Sequence, residues 1–344
     1  MTSSHPAKGR IVCFGEVLLR LSAPAGELLL QSPGLDACIG GAEANVAVSL
    51  AHFGHEVAMV SALPDNALGM AARDGLRAHG VDTLGIEFRP GRMGLYFLTP
   101  GAVLRPSEII YDRAASVFAQ ADPALYDWPA LLAGAAWLHV SGVTPAVGER
   151  AAQAMLAAMR AARGLGVKVA FDGNYRASLW AQQGSDGADV LFELMSHADL
   201  AFADQRDIAL VLKRPELVHG GRADAMSAAF AAFPHLRQLA ATVRTQHSVD
   251  RHDLSATLHT RDGAIAAGCY QLQGIVDRIG TGDAFAAGVL HGQQSGWNDG
   301  DALEFGLAAA ALKHAIAGDF NLASEAQVQA LCNPSSTGAL DVRR

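Results

Sequence analysis

The sequence is short of several things, and each shortage removes a class of function. Only four cysteines occur in 344 residues: Cys13, Cys38, Cys269 and Cys332. They are widely spaced and make no C-x-x-C pair. A disulfide framework or zinc ribbon is therefore not indicated, and reduced thiols in a cytoplasmic protein are expected. Aromatic residues make up 6% of the chain while Ala and Gly are abundant, which suits helices packed closely on a sheet better than an all-β sandwich. The net charge is −8 with no basic cluster, so nucleic acid finds no footprint. No apolar run reaches the roughly 18 residues of a membrane span. The opening "MTSSHPAKGR" lacks the apolar stretch of a signal peptide. Two nucleotide signatures are also missing. G-x-x-x-x-G-K-[ST] is absent, and the first strand runs into "GEVLL" rather than G-x-G-x-x-G. A P-loop enzyme is thereby excluded, and a dinucleotide-dependent oxidoreductase has little support.

What is present is an alternation of short apolar strands with Ala-rich helical stretches. "IVCFG" (11–15), "EVAMVSAL" (56–63), "AWLHVSG" (136–142), "VKVAFD" (167–172) and "DLAFAD" (199–204) read as strands, with "LRQLAATV" and "SATLHT" later. Helices are expected in "AEANVAVSLAHFG" (42–54), "ALGMAARDGLRAHG" (67–80), "GERAAQAMLAAMRAARGLG" (148–166), "DAFAAGVLHGQQSG" (283–296) and "ALEFGLAAAALKHAIAG" (302–318). This order predicts crossover units, hence an α/β fold with a mostly parallel sheet and helices on both faces. Residues 17–41 and 82–116 break the rhythm with strand-like runs and no helix. They are expected to form one small antiparallel sheet, a lid over the strand ends where ligands bind in open α/β folds. The expectation is one domain over 10–325, with lid segments at about 17–40 and 84–116 and a flexible tail at 333–344.

The chemistry concentrates in "DRIGTGDAF" (277–285). Gly280 and Gly282 would let the backbone approach a ligand at positive φ. The amides of 280–283 would then open a helix and form an anion site. Such amides stabilise a phosphoryl group in transfer, and Asp283 beside it could accept a proton. An ordinary account also exists: Thr281 can cap the helix, and an acidic first turn is routine. "HFGH" (52–55) mimics a metal pair but reads as solvent-facing, and no resident metal site is expected.

"DACIGGAEANVAVSLAHFG" and "DRIGTGDAFAAGVLHG" together closely resemble the two signatures of the ribokinase-like (PfkB) sugar kinase family. The resemblance implies a three-layer αβα sandwich with a mostly parallel sheet and a small β-sheet lid. Further stretches are similar to those of 2-keto-3-deoxygluconate kinases: "GGAEAN" (40–45), "GLYFL" (94–98), "IIYDRAAS" (109–116), "LHVSGVTPA" (138–146), "FDGNYRASLW" (171–180) and "ALKHAIAGDFN" (311–321). That likeness implies a C6 sugar acid, ATP and Mg²⁺, with Asp283 as base. By resemblance, Gly41, Ala42 and Asn45 line the sugar site, with Tyr96, Tyr111 and Arg113 from the lid. Asn174 and Arg176 come from a strand end, and Asp319 from the last helix turn. Arginine is the fitting partner for a carboxylate, through its planar fork.

Two stretches depart from the family pattern. "FADQRD" stands where relatives carry an Asn-Glu pair, which leaves Asp204 a water-mediated role and Mg²⁺ mainly on ATP phosphates. "ATVRTQHSVDRHDLSAT" (241–257) replaces the usual nucleotide loop, with Arg244, Thr245 and Ser248 as phosphate or ribose contacts beside His314. Arg278 stands where Thr is frequent. The resemblance also implies a homodimer through the lid. Other readings are a fructokinase, a galactonate-epimer kinase, a nucleoside kinase, and a non-catalytic sugar-sensing relative.

Overall fold

The computed structural model describes residues 9–333; the tail expected to be flexible (333–344) lies outside them except for Asn333. Thirteen strands run along the chain: β1 (Arg10–Phe14), β2 (Leu18–Ser22), β3 (Asp36–Gly40), β4 (Val57–Pro64), β5 (Ile86–Arg89), β6 (Leu95–Thr99), β7 (Glu108–Asp112), β8 (Ala135–Ser141), β9 (Lys168–Asp172), β10 (Leu200–Phe202), β11 (Gln238–Gln246), β12 (Arg251–Thr260) and β13 (Ala264–Gln273). Nine form the main sheet in the order β13-β12-β11-β10-β9-β8-β1-β4-β5. All neighbours from β11 to β5 pair in parallel, while β12 and β13 return antiparallel.

Side-chain alternation explains how this sheet holds two helical layers. Val12 and Phe14 of β1, with Leu138 and Val140 of β8, face one layer, which includes the helix Glu149–Gly164. Ile11, Cys13 and Trp137 face the other, with the helices Ala42–His52, Thr281–Ser295 and Asp299–Lys313. Consecutive strand residues point to opposite faces, so strands covered on both sides must be apolar at nearly every position. β4 is buried along its whole length, as that requires. The small-residue composition has its counterpart here. A Cβ on Gly288 would come within 2.6 Å of the Gly306 Cα, so the helices Thr281–Ser295 and Asp299–Lys313 touch backbone to backbone. Among the described residues no helix is long and apolar enough to cross a membrane.

The lid is a four-stranded sheet, β3-β2-β6-β7. It corrects the sequence reading in two ways. β2 and β6 pair in parallel, so the sheet is mixed, not purely antiparallel. β5, inside the stretch assigned to the lid, pairs with β4 in the main sheet instead. β13 was not foreseen: "AIAAGCYQLQ" is an outer strand with mostly exposed positions and no apolar alternation to betray it. The last long helix ends at Lys313, not 318, so Asp319 lies on the turn after it.

Candidate active site

The parallel strands end at one cleft of about 590 Å³, ample for a small ligand. The lid closes one end through β6 and β7. The ends of β9, β10 and β11 form the floor, and the helix Thr281–Ser295 points its N-terminus into the middle. Sixteen of the eighteen residues singled out by sequence line this cleft. Thr245 and Ser248 do not. Thr245 lies in the β11–β12 hairpin opposite Asp253, and the Ser248 hydroxyl donates to Asp250 in the hairpin turn (2.7 Å).

The centre is the helix start. Gly280 caps it at φ +80° in the left-handed region, and a Cβ there would sit 2.0 Å from the Asp319 carbonyl oxygen. Only glycine fits both demands. Two details differ from expectation. Gly282 does not adopt positive φ; it lies in the first helical turn with open space beside it. Thr281 does not cap with its side chain, since its hydroxyl donates to the Arg278 carbonyl (3.0 Å).

Asp283 follows on that first turn, and the Asn45 amide donates to it at 2.6 Å from the helix Ala42–His52. The two signature stretches, 238 residues apart, thus meet through one hydrogen bond. Burial at the cleft floor raises the Asp283 pKa to about 6, while Asn45 and then Arg176 hold it down. Asp172, at the end of β9, is pushed higher, to about 8, first by burial and then by the charge of Asp283. Of the two carboxyl groups Asp283 is thus the first to ionise, and Asp172 holds its proton to higher pH. That division of roles suits Asp283 as a base.

At the lid end Tyr96 is buried, and its hydroxyl donates to Asp319 at 2.8 Å. Tyr111 stands opposite it across β6 and β7. Asp319 also meets Arg20 at 3.2 Å, and Arg20 reaches Asp277 at 2.8 Å. Burial would favour loss of the Arg20 proton, but Asp319 and Asp277 keep it charged. The turn after the last long helix is in this way bolted to the anion loop. Beneath them Lys313 is fully buried, its ammonium donating to the Ile316 carbonyl (2.8 Å).

The two arginines proposed for a carboxylate differ. Arg113 is buried and gives its Nε to Glu16 at 2.6 Å, so its charge is partly balanced. Arg176 is exposed on the cleft wall and has no carboxylate within ion-pair distance among the described residues. Its neighbour Asn174 is held at φ +35°, a left-handed conformation that Asn tolerates better than most residues. Glu43 is also fully enclosed, accepting from the Ser141 amide and hydroxyl and from Thr144. Burial raises its pKa to about 7.

Sequence reasoning missed Asp172, Arg20, Lys313, Glu16 and Glu43. Asp172 had a signal, as a carboxylate ending a strand in "FDGNYR". Arg20 had none, because its partner Asp277 is 257 positions away. At the far end Asp204 caps the helix Gln205–Val211 and is paired with Arg206 at 2.7 Å. No group of three metal-ligating side chains exists among the described residues. His52 and His55 are half-buried, and their rings meet His79 and His291 at 3.1 and 2.8 Å.

The pfkB family carbohydrate kinase pattern matches residues 8–319. The chain belongs to that family of carbohydrate kinases. Three relatives match it over nearly the whole length. A 2-dehydro-3-deoxygalactonokinase of Haloferax volcanii is 33% identical, over 95% of this chain and 98% of its own. The crystal structure of 2-dehydro-3-deoxygluconokinase from Thermotoga maritima is 35% identical, covering 94% of this chain and 99% of its own with a TM-score of 0.87. A PfkB family carbohydrate kinase structure from Listeria grayi is 34% identical, covering 95% of this chain and all of its own at 0.88. The ribokinase-like three-layer fold expected from the two signatures is thus the fold of this kinase.

Proposed function

We propose that this kinase transfers the γ-phosphoryl group of ATP to the C6 hydroxyl of 2-keto-3-deoxy-D-gluconate. The observation that carries the reading is the joint position of Asp283 and Arg176. A base at a helix N-terminus and an unpaired guanidinium face the same lidded cleft. Arg176 takes the substrate carboxylate, with Arg113 beside it. Gly41, Ala42, Asn45, Asn174, Asp319 and the tyrosines 96 and 111 take the hydroxyl groups.

Asp283 removes the proton of the C6 hydroxyl as that oxygen attacks the γ-phosphorus. The bond to the bridging oxygen breaks, ADP leaves, and the proton stays on Asp283 until solvent takes it. The amides of Gly280, Thr281, Gly282 and Asp283 hold the charge developing on the phosphoryl oxygens. Asp204, Arg244 and His314 face the nucleotide end. Mg²⁺ would come as Mg-ATP, held mainly by the nucleotide phosphates and water, as is usual for this ion. The product is a 6-phospho sugar acid, a substrate for a cleaving aldolase. The galacto epimer is a second reading, favoured by the Haloferax relative.

The test is ADP release with Mg-ATP across both epimers, fructose, ribose and adenosine. Turnover with either acid far above the neutral sugars is expected, and none with either acid refutes the reading. A homodimer through the lid belongs to the same proposal. Val103 and Leu104 on the lid are 80% and 93% exposed, and Ile110 is exposed on β7, apolar surface that a second copy would cover. Light scattering should give twice the chain mass at micromolar concentration; monomer alone rules the dimer out.

A further inference from the structure

The end of the cleft away from the lid gathers positive charge that nothing in the protein balances. Arg244 lies near the end of β11, and Arg278 stands two residues before Gly280; both line the cleft. Neither has a carboxylate within ion-pair distance among the described residues. Arg206 stands on the neighbouring helix, with its own charge matched by Asp204. Arg278 and Arg206 are both close enough to act on Arg244. Arg244 is held below its usual basicity, first by burial and then by Arg278 and Arg206. His314 faces the same space, but burial lowers its pKa to about 4, so it adds no charge at neutral pH.

Like charges brought together without a counter-charge repel, and the arrangement is relieved only when an anion arrives. The free amides of Gly280–Asp283 sit beside Arg278 and ask for the same kind of ligand. Asp204 offers no competing negative charge, because its carboxylate accepts from the Arg206 and Asp207 amides and pairs with Arg206. Arg113 is held on Glu16 beside the lid and Arg176 follows β9, whereas Arg244 lies on β11 and Arg278 beside the anion loop, so the latter pair is free to serve a second anion.

We infer that Arg244 and Arg278 form a guanidinium clamp for the polyphosphate chain of the phosphoryl donor. Arg278 engages the phosphate nearest the anion loop, and Arg244 the phosphates behind it. Planar guanidinium forks match phosphate oxygens in pairs, and they supply from side chains the positive charge that a carboxylate-held metal would otherwise bring. The inference rests on the kinase reading for the identity of the donor, but not on which sugar accepts the phosphate.

The probe is inorganic tripolyphosphate, titrated calorimetrically into the full chain with no sugar present, followed by ATP kinetics. Wild type should bind it, and ATP should compete. Arg244→Gln and Arg278→Gln should each weaken its binding at least tenfold and raise the KM for ATP similarly. The KM for the sugar should stay within twofold. Arg278→Lys, which keeps the charge but loses the fork, should fall between the two and guards against misfolding of the Gln variant. Unchanged tripolyphosphate affinity in both Gln variants would overturn the clamp, as would a rise confined to the sugar KM. If no sugar acid turns over, the kinase reading fails while the tripolyphosphate titration still decides the clamp.

Discussion

Two glycines two residues apart should respond to alanine in opposite ways. At Gly280 the backbone is at φ +80°, which costs an L-residue about 1–2 kcal/mol. The added Cβ would lie 2.0 Å from the Asp319 carbonyl oxygen, and backbone cannot swing aside. The 314–319 turn must then shift by roughly 1 Å, and overpacking of this kind costs about 1–3 kcal/mol. Gly280→Ala should therefore lose about 2–5 kcal/mol of stability. At Gly282 the new Cβ would meet no protein atom within 4 Å. Ala is the better helix former by up to about 1 kcal/mol, so the melting temperature should hold or rise. Activity should go the other way. The open space beside Gly282 is where phosphoryl oxygens must approach the helix amides, and a methyl group there keeps them off. Loss of one such donor lowers kcat by about 10²–10³-fold. Thermal melts and a coupled ADP assay on both variants decide the matter. Gly282→Ala with kcat within threefold of wild type would show that no phosphoryl group touches this helix start, and the anion-hole argument would fall.

Other consequences follow from the same site. Asp283→Asn should lower kcat by about 10³-fold with ATP binding kept, as expected for loss of a base; a tenfold loss or less would contradict that role. A base works ionised, so wild-type kcat/KM should fall as pH drops through about 6, the raised pKa of Asp283, and level off above it. The Asn45 amide lowers that pKa, so Asn45→Leu should move the acid limb to higher pH; an unmoved limb would mean another group titrates. Arg176→Ala should raise the KM for the sugar acid at least tenfold at constant KM for ATP, since a lost charge-assisted pair costs about 1.5–3 kcal/mol. Equal loss with fructose would separate Arg176 from carboxylate recognition.

Much of this molecule could be read along the chain. Each parallel strand is covered on both faces and so is apolar throughout, which makes β1, β4, β8 and β9 visible as short runs. The helices Ala42–His52 and Thr281–Ser295 announced themselves by small residues and by glycines at their ends. The lid was legible as an interruption but not as a pairing pattern. Which strand lies beside which, and β5 in the main sheet, depends on contacts between distant segments that leave no periodicity. β13 escaped for the opposite reason, because a mostly exposed outer strand carries no apolar alternation.

By itself the sequence determined the α/β class, the kinase family and the helix start at Gly280–Asp283. Those follow from local rules: burial pattern, backbone freedom and free amides at a helix N-terminus. Only the tertiary structure decided which charges answer which. It set Asn45 on Asp283, Arg20 between Asp277 and Asp319, and Glu16 on Arg113, and left Arg176, Arg244 and Arg278 without a carboxylate partner among the described residues. Charge balance is a property of groups within a few ångströms of each other, and the chain brings those groups together from positions as far apart as Arg20 and Asp319.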